Sequence, residues 1–139
     1  MIINGKHLIA GRLASFAAKQ ALLGEEVIIY NSEHVMMTGG KANVTKHQEE
    51  RQARGHPYKG PFVPKTEDRL LKRMIRGMVP HKQERGRTAL AKVRCYRGVP
   101  DTITEDKTTE VKGAHITKTQ TLKYITLGEL CRRTGRKGQ

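Results

Sequence analysis

The chain has 139 residues and a net charge of +14, with 27 lysines and arginines against 13 aspartates and glutamates, which predicts one domain with its own core and a polyanionic partner. It has no run of about 20 apolar residues that could span a bilayer and no signal-peptide pattern at its N-terminus, so we expect a soluble, cytoplasmic protein. The two cysteines, Cys95 and Cys131, lack paired-ligand spacing, which predicts reduced thiols and no disulfide framework.

The positive charge is concentrated in the middle of the chain. Between Lys41 and Arg97 there are 16 basic and 5 acidic residues, a net of +11, whereas the rest of the chain carries a net of +3. The basic segment from Arg132 to Gln139 is typical of a loose tail that orders on a partner. We therefore expect a single domain over residues 1–139, with a basic C-terminal tail from about residue 132.

Two apolar runs near the N-terminus, Met1–Ile3 and Glu26–Tyr30, predict buried strands. Between them, apolar residues recur at helical spacing over Arg12–Leu23, and Gly24 is placed as a helix stop. A strand, a helix and a second strand in this order form the parallel crossover unit. With Lys92–Tyr96 as a further strand, the sequence predicts an α/β fold with a small, mainly parallel sheet.

The segment Lys41–Arg54 predicts a helix that is polar on all sides, because only two alanines and one valine in it are apolar. It ends at Gly55, shortly before Pro57. A helix of this kind needs an outside partner or docks weakly on its own protein. A solvated surface helix is an equal alternative at this stage.

The helix with the clearest pattern is predicted from Thr66, as N-cap, to about Gly77, before Pro80. At roughly 100° per residue its side chains separate into two faces. One face is cationic (Arg69, Lys72, Arg73, Arg76) and the other is apolar (Leu70, Leu71, Met74, Ile75, Met78). Four like charges at this spacing repel one another, which favours an anionic partner, although a solvated face kept for solubility is the alternative.

Two basic loops flank this helix in the sequence, Arg54–Gly60 and Pro80–Arg87. In the second loop, Gly86 is predicted to free the backbone for a close approach to a phosphate. The chain has only two phenylalanines and four tyrosines, which argues against a stacking platform for single-stranded bases. We therefore expect recognition of nucleic-acid backbone and shape.

Toward the C-terminus, Thr126-Leu127-Gly128-Glu129 has the capping-box pattern that starts a helix. The stretch from Val99 to Lys118 has weak periodicity and predicts no more than an exposed loop or edge strand.

Other chemistries find little support in the sequence. The six histidines are scattered without a Cys-x-x-Cys partner, so we expect no metal site. Thr38-Gly39-Gly40-Lys41 lacks the residues of a phosphate loop and predicts a tight turn, so we expect no cofactor. Asp101, Glu105 and Asp106 form the one acidic cluster near the basic half. They leave open a nucleic-acid-processing enzyme, either a Mg²⁺-dependent nuclease or a modifying enzyme, and a DNA-compacting protein is a third possibility.

Several short motifs follow one another over most of the first hundred residues: Gly11-Arg12-Leu13-Ala14-Ser15, Asn31-Ser32-Glu33, Thr38-Gly39-Gly40-Lys41, Arg73-Met74-Ile75-Arg76-Gly77-Met78-Val79-Pro80, His81-Lys82, Arg85-Gly86-Arg87, Ala89-Leu90 and Cys95-Tyr96-Arg97-Gly98-Val99-Pro100. In this order they resemble the thirteenth large-subunit ribosomal protein family, in its archaeal and cytoplasmic eukaryotic form. The long helical C-terminal extension of eukaryotic members has no counterpart here, so the resemblance favours an archaeal protein.

The resemblance implies a three-layer α/β/α fold around a small, mainly parallel sheet of about four strands. It further implies a structural constituent of the large ribosomal subunit that has no catalytic activity, binds large-subunit ribosomal RNA early in subunit assembly and lies beside other ribosomal proteins. It implies no small-molecule substrate.

Carried over to this sequence, the family's RNA-binding positions fall into two segments and a few outlying arginines. The first segment comprises Lys41, Lys46, Arg51, Arg54, His56 and Lys59, the second comprises Arg69, Lys72, Arg73, Arg76, Lys82, Arg85 and Arg87, and the outlying residues are Arg12, Arg132 and Arg133. Arg12 could equally close the first helix onto the sheet.

Overall fold

The computed structural model describes residues 1–101, 103 and 108–135. Five strands and five α-helices occur in this part of the chain. Their order is β1 (Ile2–Asn4), α1 (Ala10–Leu22), β2 (Val27–Tyr30), β3 (Met36–Thr38), α2 (Lys41–Ala53), α3 (Glu67–Met78), α4 (Glu84–Ala91), β4 (Val93–Cys95), β5 (Tyr124–Thr126) and α5 (Leu127–Arg133). None of these helices is long and apolar enough to cross a membrane.

Three strands form a parallel sheet in which β2 lies between β1 and β4. Ile3 is opposite Ile29, and Val27 is opposite Val93. Because side chains alternate between the two faces of a strand, these four share one face, and all four are 0% exposed. The apolar β-branched runs of the sequence therefore form both the strands and the core that they cover.

The sheet has one more contact at its β1 edge. Ile2 forms a single parallel bridge with Thr108, and the Thr109 N–H donates to the Ile2 carbonyl at 2.7 Å. We expected a sheet of about four strands, but it has three in the described part of the chain. The segment at Thr108, which would be the fourth strand, pairs with β1 over one residue only.

A separate two-stranded sheet joins β3 and β5 in antiparallel orientation, with Met37 opposite Ile125. Strand β5 continues directly into α5, where the Glu129 N–H donates to the Thr126 hydroxyl at 3.2 Å. This hydrogen bond confirms the predicted helix start. Ile125 and Leu127 on either side of the cap are fully buried, so the cap anchors the C-terminal helix in the core.

Helices α1 and α3 pack against each other. Ala14 and Ala17 of α1 and Leu71 and Ile75 of α3 are all fully buried. The small alanine side chains let the two helices approach closely, and the larger side chains of α3 fill the remaining space. The predicted first helix is confirmed, and it begins at Ala10, two residues earlier than expected.

The helices pack on two sides of the molecule's core. Helix α1 contacts α3 and α4, and all three contact the parallel sheet, whereas α2 and α5 contact each other and β5, and α5 also contacts α3. The predicted fold class, α/β with a mainly parallel sheet, is confirmed.

On the sheet face opposite the core, Ile28 is half-buried and Arg94 is exposed, so the described residues cover this face less completely. One hydrophobic cluster runs through the chain from Ile3 to Cys131, and a single domain over residues 1–139 stays a prediction.

The loop predicted over Pro80–Arg87 is wrong in its second half, because α4 begins at Glu84. Gly86 lies in the first turn of this helix and is buried. A Cβ atom at this position would overlap the Pro80 carbonyl group. Gly86 therefore permits close packing between α4 and the turn before it, which is a different role from the approach to a phosphate that the sequence suggested.

Candidate nucleic-acid interface

Helix α3 presents a row of cations over a buried base. Leu70, Leu71 and Ile75 are at most 3% exposed. On the other side of the helix, Arg69 and Arg76 are exposed and Lys72 and Arg73 are half-buried. Since the apolar side is fixed in the core, the cationic side is held at a defined position on the surface.

The ends of α3 depart from the prediction in two details. Thr66 occupies the N-cap position, but its hydroxyl forms no capping hydrogen bond. The first turn instead carries Glu67 and Asp68, whose charges are favourable at the positive end of the helix dipole. At the other end, Met78 is 44% exposed although Ile75 before it and Val79 after it are buried, so the apolar face of the helix is shorter than predicted.

A hydrogen bond joins the cationic row of α3 to the segment that precedes this helix in the chain. The Arg73 guanidinium Nη1 donates to the Phe62 carbonyl at 3.1 Å. This bond ties residues 54–65 to the face of α3 that carries Arg69 and Arg76. The segment that follows the first expected set of cations is therefore held against the helix that carries the second.

One cation of this surface was missed in the sequence. A cleft of about 260 Å³ beside α3 is lined by Asp68, Arg69, Lys72, Arg94, Cys95 and Tyr96. Arg94 is exposed between the buried Val93 and the half-buried Cys95. The alternation of side chains along a strand was the signal that could have identified it.

The two cysteines pack in or against the core, Cys131 within it and Cys95 at its edge, where it also lines this cleft. Burial raises the pKa of the Cys95 thiol to about 12, against the charge of Lys72, which lowers it. Burial together with the charges of Glu67 and Asp68 raises the pKa of Cys131 to about 12. Both are free cysteines, and at neutral pH they remain protonated and poorly nucleophilic.

Helix α2 docks on the protein through a narrow side. Gln48 is 5% exposed, and Val44 is partly buried against the core. Lys46 and Arg51 are exposed on the remaining surface. The structure therefore combines the two alternatives for this polar helix, since a weakly docked side faces the core and the rest is open to solvent.

Glu129 links α2 to α5. Its carboxylate is 2.7 Å from Arg133 Nη2 and 3.4 Å from Lys41 Nζ. Desolvation acts to raise the pKa of Glu129, but hydrogen bonds from Arg133 and Lys41 and their positive charges outweigh it and lower the pKa below its ordinary value. Lys41, expected to bind RNA, thus also joins α2 to α5, whereas Arg133, expected to bind RNA as well, pairs with Glu129 within α5 itself.

Residues 54–60 form a closed turn with exposed cations. The N–H groups of His56 and Gly60 each donate to the other residue's carbonyl at 2.9 Å. Gly55 and Gly60 have φ of +94° and +89°, which glycine adopts without steric cost. Arg54, His56 and Lys59 are all exposed on this turn.

The remaining predicted cations lie in several places. Lys82 is exposed in the turn before α4, and Arg85 and Arg87 are exposed on α4 itself. Arg132 is exposed on α5. Arg12 is exposed, and its Nη1 donates to the Gly113 carbonyl at 2.6 Å. Arg12 therefore closes α1 onto the segment at residues 111–118, which supports the alternative structural role.

A second basic cleft was not anticipated. It has a volume of about 560 Å³, and its lining includes Lys6, Lys112, His115 and Lys118. Thr117 N–H donates to His115 Nδ1 at 3.4 Å. Sequence patterns gave little for this region because its cations come from segments that are distant in the chain and have no regular spacing.

The acidic cluster suggested for Mg²⁺ falls largely outside the described residues, which exclude Glu105 and Asp106. Asp101 is exposed. Within the described ranges, no group of three or more histidine, cysteine, aspartate or glutamate residues is placed to hold a metal ion.

The parallel-sheet core and the exposed cations define a small, basic α/β protein that presents its charge on an outer surface. The family model described as Ribosomal protein L13 matches residues 1–102. The chain belongs to this family, whose members are structural proteins and not enzymes. This assignment decides against the nuclease and modifying-enzyme alternatives.

Curated relatives extend the similarity beyond residue 102. The Large ribosomal subunit protein uL13 of Methanosarcina barkeri is 42% identical over 137 residues, which cover 98% of each chain. The same protein of Methanocaldococcus jannaschii is 42% identical over 140 aligned residues, again 98% of each chain. That of Archaeoglobus fulgidus is 37% identical over 138 residues, 99% of this chain and 88% of the relative. The resemblance to archaeal forms of the family is therefore confirmed.

Proposed function

We propose that this chain is a structural constituent of the large ribosomal subunit that binds large-subunit ribosomal RNA through phosphate contacts and supports early subunit assembly. Its partners lie within that subunit, and neighbouring ribosomal proteins complete its surroundings there. The observation that carries the proposal is the cationic row of α3, which projects from a rigid buried base and forms no ion pair with the residues that the structure describes.

The four cations of the α3 row form no ion pairs within the described part of the chain. Lys41 and Arg133, by contrast, both form ion pairs with Glu129. Arg69, Lys72, Arg73 and Arg76 repel one another at helical spacings of three and four residues. An RNA backbone removes this repulsion and releases its own condensed cations, so binding gains free energy from both partners.

Arginine also suits phosphate for a geometric reason. The guanidinium group presents a planar fork of N–H donors that can contact two phosphate oxygens at once. Three of the four cations in the row are arginines. We propose the row, the exposed cations of the turn at residues 54–60, Lys46 and Arg51 of α2, and Arg94 as one surface, joined through the bond from Arg73 to Phe62. Lys82, Arg85, Arg87 and Arg132 are further RNA contacts.

Three of the expected RNA-binding residues have a smaller proposed part. Arg12, Lys41 and Arg133 already have partners in Gly113 and Glu129. Each would have to share or release that partner to bind a phosphate. We therefore expect them to contribute less to RNA affinity than Arg69 and Arg76 of the α3 row, and we expect Arg73, which donates to the Phe62 carbonyl, to be limited in the same way.

The test is binding of the full chain to transcribed large-subunit ribosomal RNA over a range of salt concentrations. The double variant Arg69→Gln, Arg76→Gln should weaken binding and reduce the slope of log affinity against log salt by about one for each phosphate that the variant no longer neutralises. The control is Lys19→Gln, Lys123→Gln, which removes the same charge from other exposed positions. Equal effects of the two variants would mean that only net charge matters and would contradict an interface built on α3.

A further inference from the structure

The turn at residues 54–62, called here the aromatic loop, exposes two large aromatic side chains. Tyr58 is 89% exposed and Phe62 is 72% exposed. The chain has only six phenylalanines and tyrosines, and among the others Tyr30 is 1% exposed. Leaving such side chains in water forgoes a large gain from burial. Two of six aromatics exposed within one turn therefore indicate a partner that covers them.

The aromatic loop is held in shape by its own hydrogen bonds. In addition to the paired bonds between His56 and Gly60, the Tyr58 N–H donates to His56 Nδ1 at 3.2 Å. A Cβ atom on Gly55 would overlap the Gly60 carbonyl, so the two ends of the turn touch backbone to backbone. The bond from Arg73 then fixes Phe62 to α3. A surface that is already ordered loses less conformational entropy on binding.

Only cations accompany these aromatics in the sequence. Arg54, His56, Lys59 and Lys65 are all exposed, and no aspartate or glutamate occurs between Glu50 and Glu67. Phe62 also forms part of a cleft of about 390 Å³ that is lined by Pro57, Pro61 and Val63 as well as basic residues. The surface therefore combines flat apolar groups with positive charge, which matches a nucleotide with its flat base and anionic phosphate.

We propose that the aromatic loop stacks unpaired RNA bases on Tyr58 and Phe62 while Arg54 and Lys59 hold the adjoining phosphates. This inference rests on the proposed binding to ribosomal RNA and specifies the RNA: a loop, bulge or end whose bases are free, and not a paired helix. Bases in an A-form helix are stacked on one another and offer no free face, whereas unpaired bases do. The expectation drawn from the low aromatic content is thereby revised for this one segment, because exposure and position matter more than number.

The chain contains no tryptophan, so a single tryptophan can report on stacking. Tyr58→Trp and Phe62→Trp place the reporter in the aromatic loop, and Leu122→Trp places it at a site that is 92% exposed elsewhere. Each variant is titrated with single-stranded oligoadenylate and with duplex RNA of equal length. Stacking predicts quenched emission for both loop reporters with the single strand, little quenching with the duplex and no change for the Leu122→Trp control.

Affinity provides the second measurement. Tyr58→Ala and Phe62→Ala should each weaken binding of the single strand by about tenfold and leave duplex binding almost unchanged. The loss should persist at high salt because stacking does not depend on counterions, and Tyr58→Phe should retain most of the affinity. Both residues are on the surface, and an unchanged thermal unfolding curve will confirm that the variants fold.

The outcomes separate this inference from the proposed function. If the unsubstituted chain fails to bind large-subunit ribosomal RNA, the proposed function is wrong. If it binds, but the loop reporters are silent or respond equally to duplex and single strand, the stacking inference alone is overturned. Unchanged affinity of the alanine variants for the single strand would also overturn it and would assign the aromatic loop to a protein neighbour.

Discussion

Helices α2 and α3 are neighbours in sequence and both carry exposed cations, but they differ greatly in how much of each helix is buried in the core. Helix α3 buries Leu70, Leu71 and Ile75, whereas α2 has Gln48 as its one buried residue. The exposed surface of α2 also carries Glu49 and Glu50 beside its cations. A similar number of cations therefore forms a row on a firmly buried helix in one case, and a surface interspersed with carboxylates on a weakly buried helix in the other.

The largest expected difference between the two helices is in stability. Leu71→Ala removes a fully buried side chain of α3 and should lower the free energy of unfolding by about 2–5 kcal/mol. Val44→Ala on α2 removes a half-buried side chain and should cost about 1 kcal/mol or less. Urea unfolding followed by circular dichroism measures both values. Similar costs at the two sites would show that α2 is anchored as firmly as α3.

The second prediction concerns the turn that leaves α3. Gly86→Ala introduces a methyl group against the Pro80 carbonyl and should destabilise the protein by about 1–3 kcal/mol. Gly77→Ala is the matched control, because no atom lies within 4 Å of a Cβ at that helical position. The control should be neutral or stabilising by up to about 1 kcal/mol, since alanine is the better helix former. A stabilising effect of Gly86→Ala would contradict the close packing described for α4.

The third prediction concerns affinity for RNA. Arg69→Gln, Arg76→Gln on α3 should weaken binding to large-subunit ribosomal RNA by about tenfold or more. Lys46→Gln, Arg51→Gln removes the same charge from α2, which is less firmly anchored. This variant should weaken binding severalfold less than the α3 variant, because ordering α2 on the RNA costs part of the free energy that its contacts contribute. Filter binding at one fixed salt concentration makes the comparison. A greater loss for the α2 variant would reverse the proposed ranking.

The smallest effect is expected from loss of the Glu129 charge, either by protonation at low pH or by substitution. The pKa of Glu129 is lowered in the folded protein, so its stabilising contribution is fully present above the ordinary carboxyl pKa and is lost as pH falls through the lower folded value. Because exposed ion pairs contribute little, Glu129→Gln at neutral pH should speed amide exchange in α2 by only about two- to fivefold. Exchange in α3 serves as the internal reference. A uniform change in both helices would indicate global destabilisation and not a released α2.

Much of this structure follows from local patterns in the sequence. The spacing of Leu70, Leu71 and Ile75 predicted the orientation of α3, and the capping pattern at Thr126 predicted the start of α5. The pairing of β3 with β5 could not be predicted, because two three-residue strands more than 80 positions apart carry too little pattern to identify each other. Helix α4 was missed since the glycine and basic residues at its start are typical of a loop, and only the contact with Pro80 explains Gly86.

The candidate site, like the fold, could be predicted from the sequence only in part. Periodicity identified the cationic row of α3, and the charge distribution identified the middle of the chain. Sequence alone could not show that Arg12 and Lys41 have partners within the protein, since Gly113 and Glu129 lie far from them in the chain. Arg133 is different, because it follows Glu129 by four residues on the same helix, a spacing that could have predicted the pair. Nor could it show that Tyr58 and Phe62 are exposed, because exposure depends on a turn closed by nonadjacent backbone groups.

The most direct test of the central claim is a cryo-electron microscopy structure of a large ribosomal subunit assembled with this chain. We predict that the terminal nitrogens of Arg69, Lys72, Arg73 and Arg76 lie within about 4 Å of ribosomal RNA phosphate oxygens. A subunit in which this face of α3 is turned to solvent or covered by another protein, with no phosphate at these side chains, would contradict it.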